Sequence, residues 1–156
     1  LLSAFKKANL TSSFLILVGP DEENIYSRVK NIKNIITHEF TASPEDFMTT
    51  SDLLCLPSYR EGFGNVIIEA AATGLPSMVS NVYGLADFVV SNNTGFVHKV
   101  ADINEMVKLF KMVHNNKILV RQLGKNAREK VRTSFNSKLI TKHWVDFYKK
   151  QTTKLL

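Results

Sequence analysis

A short apolar run that leads through two glycines into an apolar helix constrains this chain most. Leu53 to Leu56 is the apolar run, Glu61 to Gly64 reads Glu-Gly-Phe-Gly, and Asn65 to Gly74 has the composition of a helix. A strand, a glycine turn and a helix in this order present the unpaired N–H groups of the first helical turn, and the positive end of the helix dipole, to an anion. Gly62 and Gly64 are both expected to adopt positive φ and to let the backbone approach a ligand. The segment therefore predicts an α/β sheet with an anion site at a strand end.

Glu69 is the unusual residue of this helix. Its neighbours Ile67 and Ile68 are apolar, and an unpaired carboxylate buried among them would be costly. It follows Asn65 by four positions, so both lie on one face, roughly 6–7 Å of helical rise beyond the turn. A ligand with phosphate at the helix N-terminus could offer hydroxyls to Glu69, which describes a nucleotide. The alternative is a helix-starting turn followed by a buried glutamate that bonds a nearby backbone group.

Short apolar runs alternate with helical patterns along the whole chain. This alternation favours βαβ units, a parallel sheet and a single domain over residues 1–156. The first run is continuous and is expected to be buried on both faces. The predicted strands are Phe14–Val18, a stretch around Ile35-Ile36, Leu53–Leu56, Ser77–Ser80 and Gly95–His98.

Helical periodicity predicts three helices after the last strand. Asp102-x-x-Glu105 resembles a capping box at the start of the first, and Met106 and Phe110 lie on its core face. A second helix follows, with Val120, Leu123, Ala127 and Val131 on one face. The last carries Ile140, Trp144, Phe147 and Tyr148. For Trp144 this stripe predicts packing in the core or against another domain, rather than stacking on a base.

Composition excludes several classes of protein. The 156 residues, 44% of them hydrophobic, suit one globular domain. No apolar run approaches the roughly 20 residues that span a bilayer. The single cysteine, Cys55, cannot form an internal disulfide and is expected in a strand core, which fits a cytoplasmic protein. The four histidines form no zinc or nucleophile motif with other residues and are interpreted as structural or solvated.

Positive charge is concentrated at the C-terminal end. Residues 117–156 carry 11 lysines and arginines against two acidic residues, whereas residues 1–116 have a net charge of −3. Such asymmetry indicates an anionic partner. Anionic lipid headgroups at the inner face of a membrane are one candidate, and a solvated lysine-rich helix face is the plain alternative. Nucleic acid is the less expected partner.

The spacing Glu61-x7-Glu69, with Gly-Phe-Gly between and Gly74-Leu75-Pro76 at the helix end, resembles the signature of retaining glycosyltransferases of the GT-B class, group 1. In that family the signature lies in the C-terminal, nucleotide-sugar-binding domain. The resemblance implies a Rossmann-like open parallel sheet with flanking helices, one half of a GT-B fold. Further segments are similar to the family in the same order: Phe14–Pro20, Ser43–Met48, Thr50–Asp52, Pro76–Ser80, Tyr83-Gly84 and Asn93–Val97.

The resemblance also implies a role for each site residue. Glu69 binds the ribose, and Glu61 acts as the catalytic residue that faces the transferred sugar, because a carboxylate pointed at a diphosphate would be repelled. Arg60 either offsets phosphate charge or is a surface residue. The residues expected at the donor diphosphate are Gly62, Phe63, Gly64, Asn65 and Val66, and those expected around the base are Gly19, Pro20, Phe40 and Thr41.

The implied reaction transfers a sugar from a nucleoside diphosphate sugar to a hydroxyl acceptor with retention. A UDP sugar is the expected donor, no metal or other cofactor is required, and polysaccharide or glycolipid biosynthesis is the expected context. Backbone amides and basic side chains stabilise the leaving diphosphate in place of a metal. The sugar or lipid-linked acceptor is expected to bind an N-terminal domain that this chain lacks.

The chain departs from the family pattern in two places. Glu39-Phe40 stands where the family commonly has Gly-Phe. The chain also opens inside the helix that follows the family's first strand and Arg/Lys loop, so it is interpreted as a fragment. In the usual order that strand is central, so the strands at 14–18 and 53–56 are expected either to pair directly or to flank a gap.

Two other functions compete with sugar transfer. One is a regulatory, Rossmann-like domain that binds a phosphate ligand without catalysis. The other is a basic interaction module that uses residues 117–156 to bind nucleic acid.

Overall fold

Helices and strands alternate through most of the chain. The computed structural model describes residues 1–153. The elements are α1 (Leu2–Ala8), β1 (Leu15–Val18), α2 (Ile25–Val29), β2 (Ile35–His38), α3 (Pro44–Thr50), β3 (Leu54–Leu56), α4 (Asn65–Thr73), β4 (Ser77–Ser80), β5 (Gly95–His98), α5 (Ile103–Asn115), α6 (Lys117–Ser134) and α7 (Ser137–Thr153). All five predicted strands are present, the first and the third each one residue shorter than expected.

The strands form two parallel sheets, in the orders β1-β2 and β3-β4-β5. Leu15 pairs with Ile35 in the first, and Leu54 with Ser77 in the second. Within residues 1–153 no hydrogen-bonded pairing joins β1 to β3. The parallel arrangement is therefore confirmed, and of the two outcomes expected for these strands the structure has the gap.

β1 is not buried on both faces, contrary to the prediction. Its first residue, Leu15, is buried, but Val18 is 40% exposed and the preceding Phe14 is 62% exposed. A strand that pairs on one side only lies at a sheet edge, where neighbouring strands and helices cover less of it.

One hydrophobic core spans both sheets. Leu15 of β1 and Met78 of β4 bury their side chains in the same cluster, together with Phe5 of α1 and Phe110 of α5. The rings of Phe5 and Phe110 meet edge to face, with centroids 5.9 Å apart. Helices α1 and α5 therefore share one core with both sheets, and the predicted core positions of Met106 and Phe110 are confirmed.

The predicted capping box at α5 is half correct. Asp102 caps the helix, because its Oδ1 accepts from the Glu105 N–H at 2.9 Å. The Glu105 carboxylate accepts from the Lys99 N–H at 2.8 Å instead of from the N-cap residue. The reciprocal bond is thus moved three residues upstream and fixes the loop after β5.

Helix α7 does not pack into the core of the part of the chain that the structure describes, so the core alternative for its apolar stripe is wrong and packing against another domain stays a prediction. Trp144, Phe147 and Tyr148 are 51–61% exposed, and no other helix or strand packs extensively against α7. The rings of Trp144 and Tyr148 stack on each other, with centroids 5.9 Å apart. The stripe is real, but no residue of the described part covers it. No helix in residues 1–153 is long and apolar enough to cross a membrane.

Candidate functional site

The turn before α4 depends on Gly64. Gly64 is the N-cap residue, with φ 59° and ψ 50° in the left-handed region. A Cβ built there would lie 2.6 Å from Leu85 Cδ2, so a side chain would be strained by the backbone and by its neighbour. Gly62 differs from the prediction, because its φ is not positive and a Cβ there would meet nothing within 4 Å.

A row of backbone N–H groups is free at the start of α4. Among residues 1–153, no hydrogen bond is made by the N–H groups of Phe63, Gly64, Asn65 and Val66, whereas the N–H of Ile67 donates to Gly64 O at 2.9 Å. No side chain caps this helix. The positive helix end and free donors that the sequence predicts are therefore both present.

Glu61 is folded back onto the turn. Its Oε1 accepts from the Gly62 N–H at 3.2 Å, and the residue is half-buried. Arg60 beside it is exposed. Gly84, in the loop after β4, lies so close to the carbonyl of Gly62 that any Cβ would collide with it. The loop that follows β4 of the three-stranded sheet therefore packs directly against the turn.

Glu69 is exposed, contrary to the expectation that it is buried. Asn65 shares its face and is also exposed, whereas Ile67 and Ala70 on the other faces are buried. The desolvation cost that the sequence suggested therefore does not arise, because only part of the helix circumference meets the core. The Glu69 side chain borders a cleft of ≈ 470 Å³, whose lining is Ala42, Pro44, Glu45, Met48, Glu69, Ala72 and Thr73.

The residues predicted near the base follow the first two strands. Gly19 and Pro20 come directly after β1, and Phe40 and Thr41 come after β2. Phe40 is 78% exposed. Ala42 borders the Glu69 cleft, so the segment between β2 and α3 reaches the same cleft as α4.

Tyr26 is a feature of this region that the sequence did not reveal. Its hydroxyl lies 2.7 Å from Gly19 O and 2.8 Å from His38 O. A tyrosine in a short helix gives no sequence signal for a contact with two strand ends, because the partners are backbone carbonyls that any residue supplies.

Two buried polar side chains lie at the ends of β4 and β5. Ser80 and His98 are register partners with at most 1% of their surface exposed. His98 Nδ1 is 2.8 Å from Lys99 O, and it donates to this carbonyl, which can only accept. Within the described residues, Ser80 Oγ and His98 Nε2 have no hydrogen-bond partner. Burial excludes the solvated alternative for His98, whereas a structural role stays a prediction. The register pairing of His98 with Ser80 is not apparent from the sequence.

Cys55 has no catalytic character. Burial raises the pKa of its thiol to about 12, so the thiol is protonated near neutral pH and is a poor nucleophile. This agrees with the predicted place in a strand core. Among residues 1–153, no group of three or more histidine, cysteine or acidic residues is placed to hold a metal ion.

Comparisons with known proteins identify the family. The family model for glycosyl transferases, group 1, matches residues 1–130. The capsular polysaccharide biosynthesis glycosyltransferase CapM of Staphylococcus aureus is 30% identical over 127 residues, covering 81% of this chain and 33% of CapM. An Escherichia coli UDP-Gal:alpha-D-GlcNAc-diphosphoundecaprenol alpha-1,3-galactosyltransferase is 35% identical over 91 residues, covering 58% of this chain and 23% of that protein.

Solved structures agree with this assignment at the level of the fold. Anabaena Alr3699/HepE in complex with UDP-glucose superposes with a TM-score of 0.83 at 19% identity, covering 96% of this chain and 44% of that one. The chain spans about a third of the length of the curated relatives it matches first.

Proposed function

The chain belongs to the group 1 glycosyltransferases, enzymes of GT-B fold, and from this premise we propose that residues 1–156 are the nucleotide-sugar-binding domain of a retaining enzyme. The whole protein transfers a sugar from a UDP sugar to a hydroxyl acceptor in polysaccharide or glycolipid biosynthesis. Similar proteins support this context, because CapM acts in capsular polysaccharide biosynthesis and HepE is solved with UDP-glucose.

The single observation that carries the proposal is the geometry of α4. Free N–H groups at residues 63–66 stand at its N-terminus, and the exposed Glu69 lies one turn further along on the Asn65 face. The donor diphosphate binds these amides, with Gly62 offering the close backbone approach. The ribose hydroxyls donate to the Glu69 carboxylate. Gly19, Pro20, Phe40 and Thr41 surround the base.

Glu61 takes the catalytic role in this proposal. Its carboxylate leaves the Gly62 N–H when donor binds, accepts from hydroxyls of the transferred sugar and stabilises positive charge that develops at the anomeric carbon. Arg60 lies beside it and offsets part of the diphosphate charge. The amides stabilise the leaving diphosphate without a metal. Acceptor binding belongs to the part of the enzyme outside these residues, which works at the cytoplasmic face of the membrane.

Nucleotide binding by the full-length protein tests the proposal directly. A ligand that binds only the native state raises apparent stability. We expect UDP and UDP sugars to raise the melting temperature more than GDP, ADP or their sugar conjugates. If none of these nucleotides shifts the transition, the site assignment is wrong.

The substitution Glu69→Gln tests the ribose contact. It removes one charge-assisted hydrogen bond, so UDP affinity measured by titration calorimetry should fall about tenfold or more while the fold is retained. Glu129→Gln is the matched control, because Glu129 is exposed on α6 and does not line the cleft. Equal affinities of Glu69→Gln and the unsubstituted protein would contradict the ribose assignment.

The basic C-terminal helices support a second interaction. In residues 117–153, Arg121, Lys125, Lys138 and Lys142 are exposed on α6 and α7, and the aromatic face of α7 is exposed beside them. A helix with lysines on one face and aromatic side chains on the other suits the surface of an anionic membrane. We propose peripheral contact with anionic lipid as the use of this region. Lys154, the last charge counted in the sequence, lies outside the described residues.

A further inference from the structure

The phenol of Tyr26 joins the carboxyl ends of β1 and β2. Its hydroxyl is 2.7 Å from Gly19 O, just after β1, and 2.8 Å from His38 O, the last residue of β2. A third carbonyl, Leu17 O, lies 3.3 Å away. One proton is shared among these acceptors, so the hydroxyl sits where two strand ends and one helix meet.

The position of Tyr26 is itself fixed by Asp21. The Asp21 carboxylate accepts from the N–H of Ile25 at 2.6 Å and from the N–H of Tyr26 at 2.7 Å. These bonds satisfy the first donors of α2. Burial, then the negative charges of Asp21 and Glu39, raise the pKa of Tyr26. The hydroxyl therefore stays protonated and remains a donor under physiological conditions.

The β2 end leads directly to the Glu69 cleft. The His38 ring packs edge to face on Phe47 of α3, with centroids 5.0 Å apart. The same helix lines the cleft with Pro44, Glu45 and Met48, opposite Glu69. A shift of His38 would therefore move one wall of the cleft relative to the other.

We propose that Tyr26 is a positioning residue for the nucleoside end of the donor. It holds the loops after β1 and β2, and through His38 and Phe47 the wall formed by α3, at a fixed spacing from Glu69. Ribose and base then enter a preformed cleft, whereas the diphosphate on the α4 amides lies beyond the reach of Tyr26. The inference rests on the proposed function, since it assumes that a nucleoside diphosphate occupies the cleft.

The variant Tyr26→Phe in the full-length protein distinguishes binding of the nucleoside end of the ligand from binding of its diphosphate end. It deletes one hydroxyl and leaves the ring, and the carbonyls that lose their donor lie near the surface, so the fold should survive. We expect affinity for UDP and for uridine to fall roughly fivefold. Affinity for inorganic pyrophosphate, which reaches only the α4 amides, should stay unchanged. Tyr148→Phe is the matched control, because its ring is 61% exposed and lies on α7, which makes no extensive contact with the described elements around Tyr26.

Each outcome is decisive. If UDP affinity is unchanged in Tyr26→Phe, the positioning role is wrong. If UDP and pyrophosphate weaken equally, Tyr26 supports the domain as a whole and the inference is again wrong. Asp21→Asn, which weakens the bonds that fix Tyr26, should reproduce the selective loss for UDP and uridine. If the unsubstituted protein binds no nucleotide, it is the proposed function that fails.

Discussion

The two glycines of the turn have different physical roles. Gly64 is required by the protein itself, because its φ is positive and Leu85 occupies the space that a side chain would need. Gly62 has neither constraint. A glycine that the fold does not need, directly before a row of free amides, is available for contact with a ligand.

Paired alanine substitutions separate these roles. Gly64→Ala should lower the free energy of unfolding by about 1 kcal/mol or more, because alanine is strained at positive φ and meets Leu85. Gly62→Ala should leave that free energy unchanged and weaken UDP binding several-fold, because the methyl group occupies the approach of the diphosphate. Chemical denaturation and titration calorimetry measure the two effects. Full UDP affinity in Gly62→Ala would show that the diphosphate does not approach this residue.

Glu69 shows what a local pattern can and cannot predict. The helix, its glycine ends and the shared face of Asn65 and Glu69 follow from nearest-neighbour spacing, and all are present. Exposure depends instead on which neighbours pack around the helix, and the fully buried residues of α4 are Ile67, Ala70 and Ala71. The sequence therefore located the carboxylate correctly and described its surroundings incorrectly.

At the scale of the elements, the gap between β1 and β3 is the main departure from a complete sheet. Each strand has one edge without a partner strand in the described residues, and strand edges present unpaired N–H and C=O groups. Cys55 lies in β3, where the residue as a whole is half-buried although burial raises its thiol pKa to about 12. Its thiol is therefore protonated near neutral pH even though β3 lies at an open sheet edge.

The apolar stripe of helix α7, like the free edges of β1 and β3, has no partner element in the described residues. Periodicity predicts that Ile140, Trp144 and Phe147 share a face, but it carries no information about what covers that face. Within residues 1–153 the face is exposed. Packing against another domain remains a prediction, and so does contact with a membrane.

Anionic vesicles distinguish these two uses of α7. If the aromatic face inserts at a lipid surface, the full-length protein should co-sediment with phosphatidylglycerol vesicles, less so in high salt, and not with phosphatidylcholine vesicles. Trp144 is the single tryptophan of these 156 residues, so the difference in fluorescence between the full-length protein and its Trp144→Ala variant reports on this helix. Trp144→Ala should reduce vesicle binding, with Tyr83→Ala as an exposed control outside α7. A shielded Trp144 without vesicle binding would favour packing against another domain.

At the scale of the whole molecule, the sequence predicted the order of the helices and strands better than it predicted how the two sheets pack together. The alternation of apolar runs and helical patterns predicted five parallel strands, and the order of elements is as expected. The shared core that joins the two sheets through Leu15 and Met78 was not predictable, because these residues are far apart in sequence and belong to one cluster only in the folded chain. Tyr26 was missed for a similar reason, since its contacts are to backbone carbonyls.

The last prediction concerns the 156 residues on their own. They span about a third of the length of the first curated relatives, and their sheet is open between β1 and β3. An open sheet holds the cleft walls less firmly, and the site as proposed offers no binding surface for an acceptor. We therefore expect the isolated chain to bind UDP at least about tenfold more weakly than the full-length protein, which corresponds to about 1.4 kcal/mol.

The isolated chain should also transfer no sugar from a radiolabelled UDP sugar to an acceptor that the full-length enzyme uses. Transfer by the isolated chain would show that these residues hold a complete active site, and the two-domain mechanism would then be wrong.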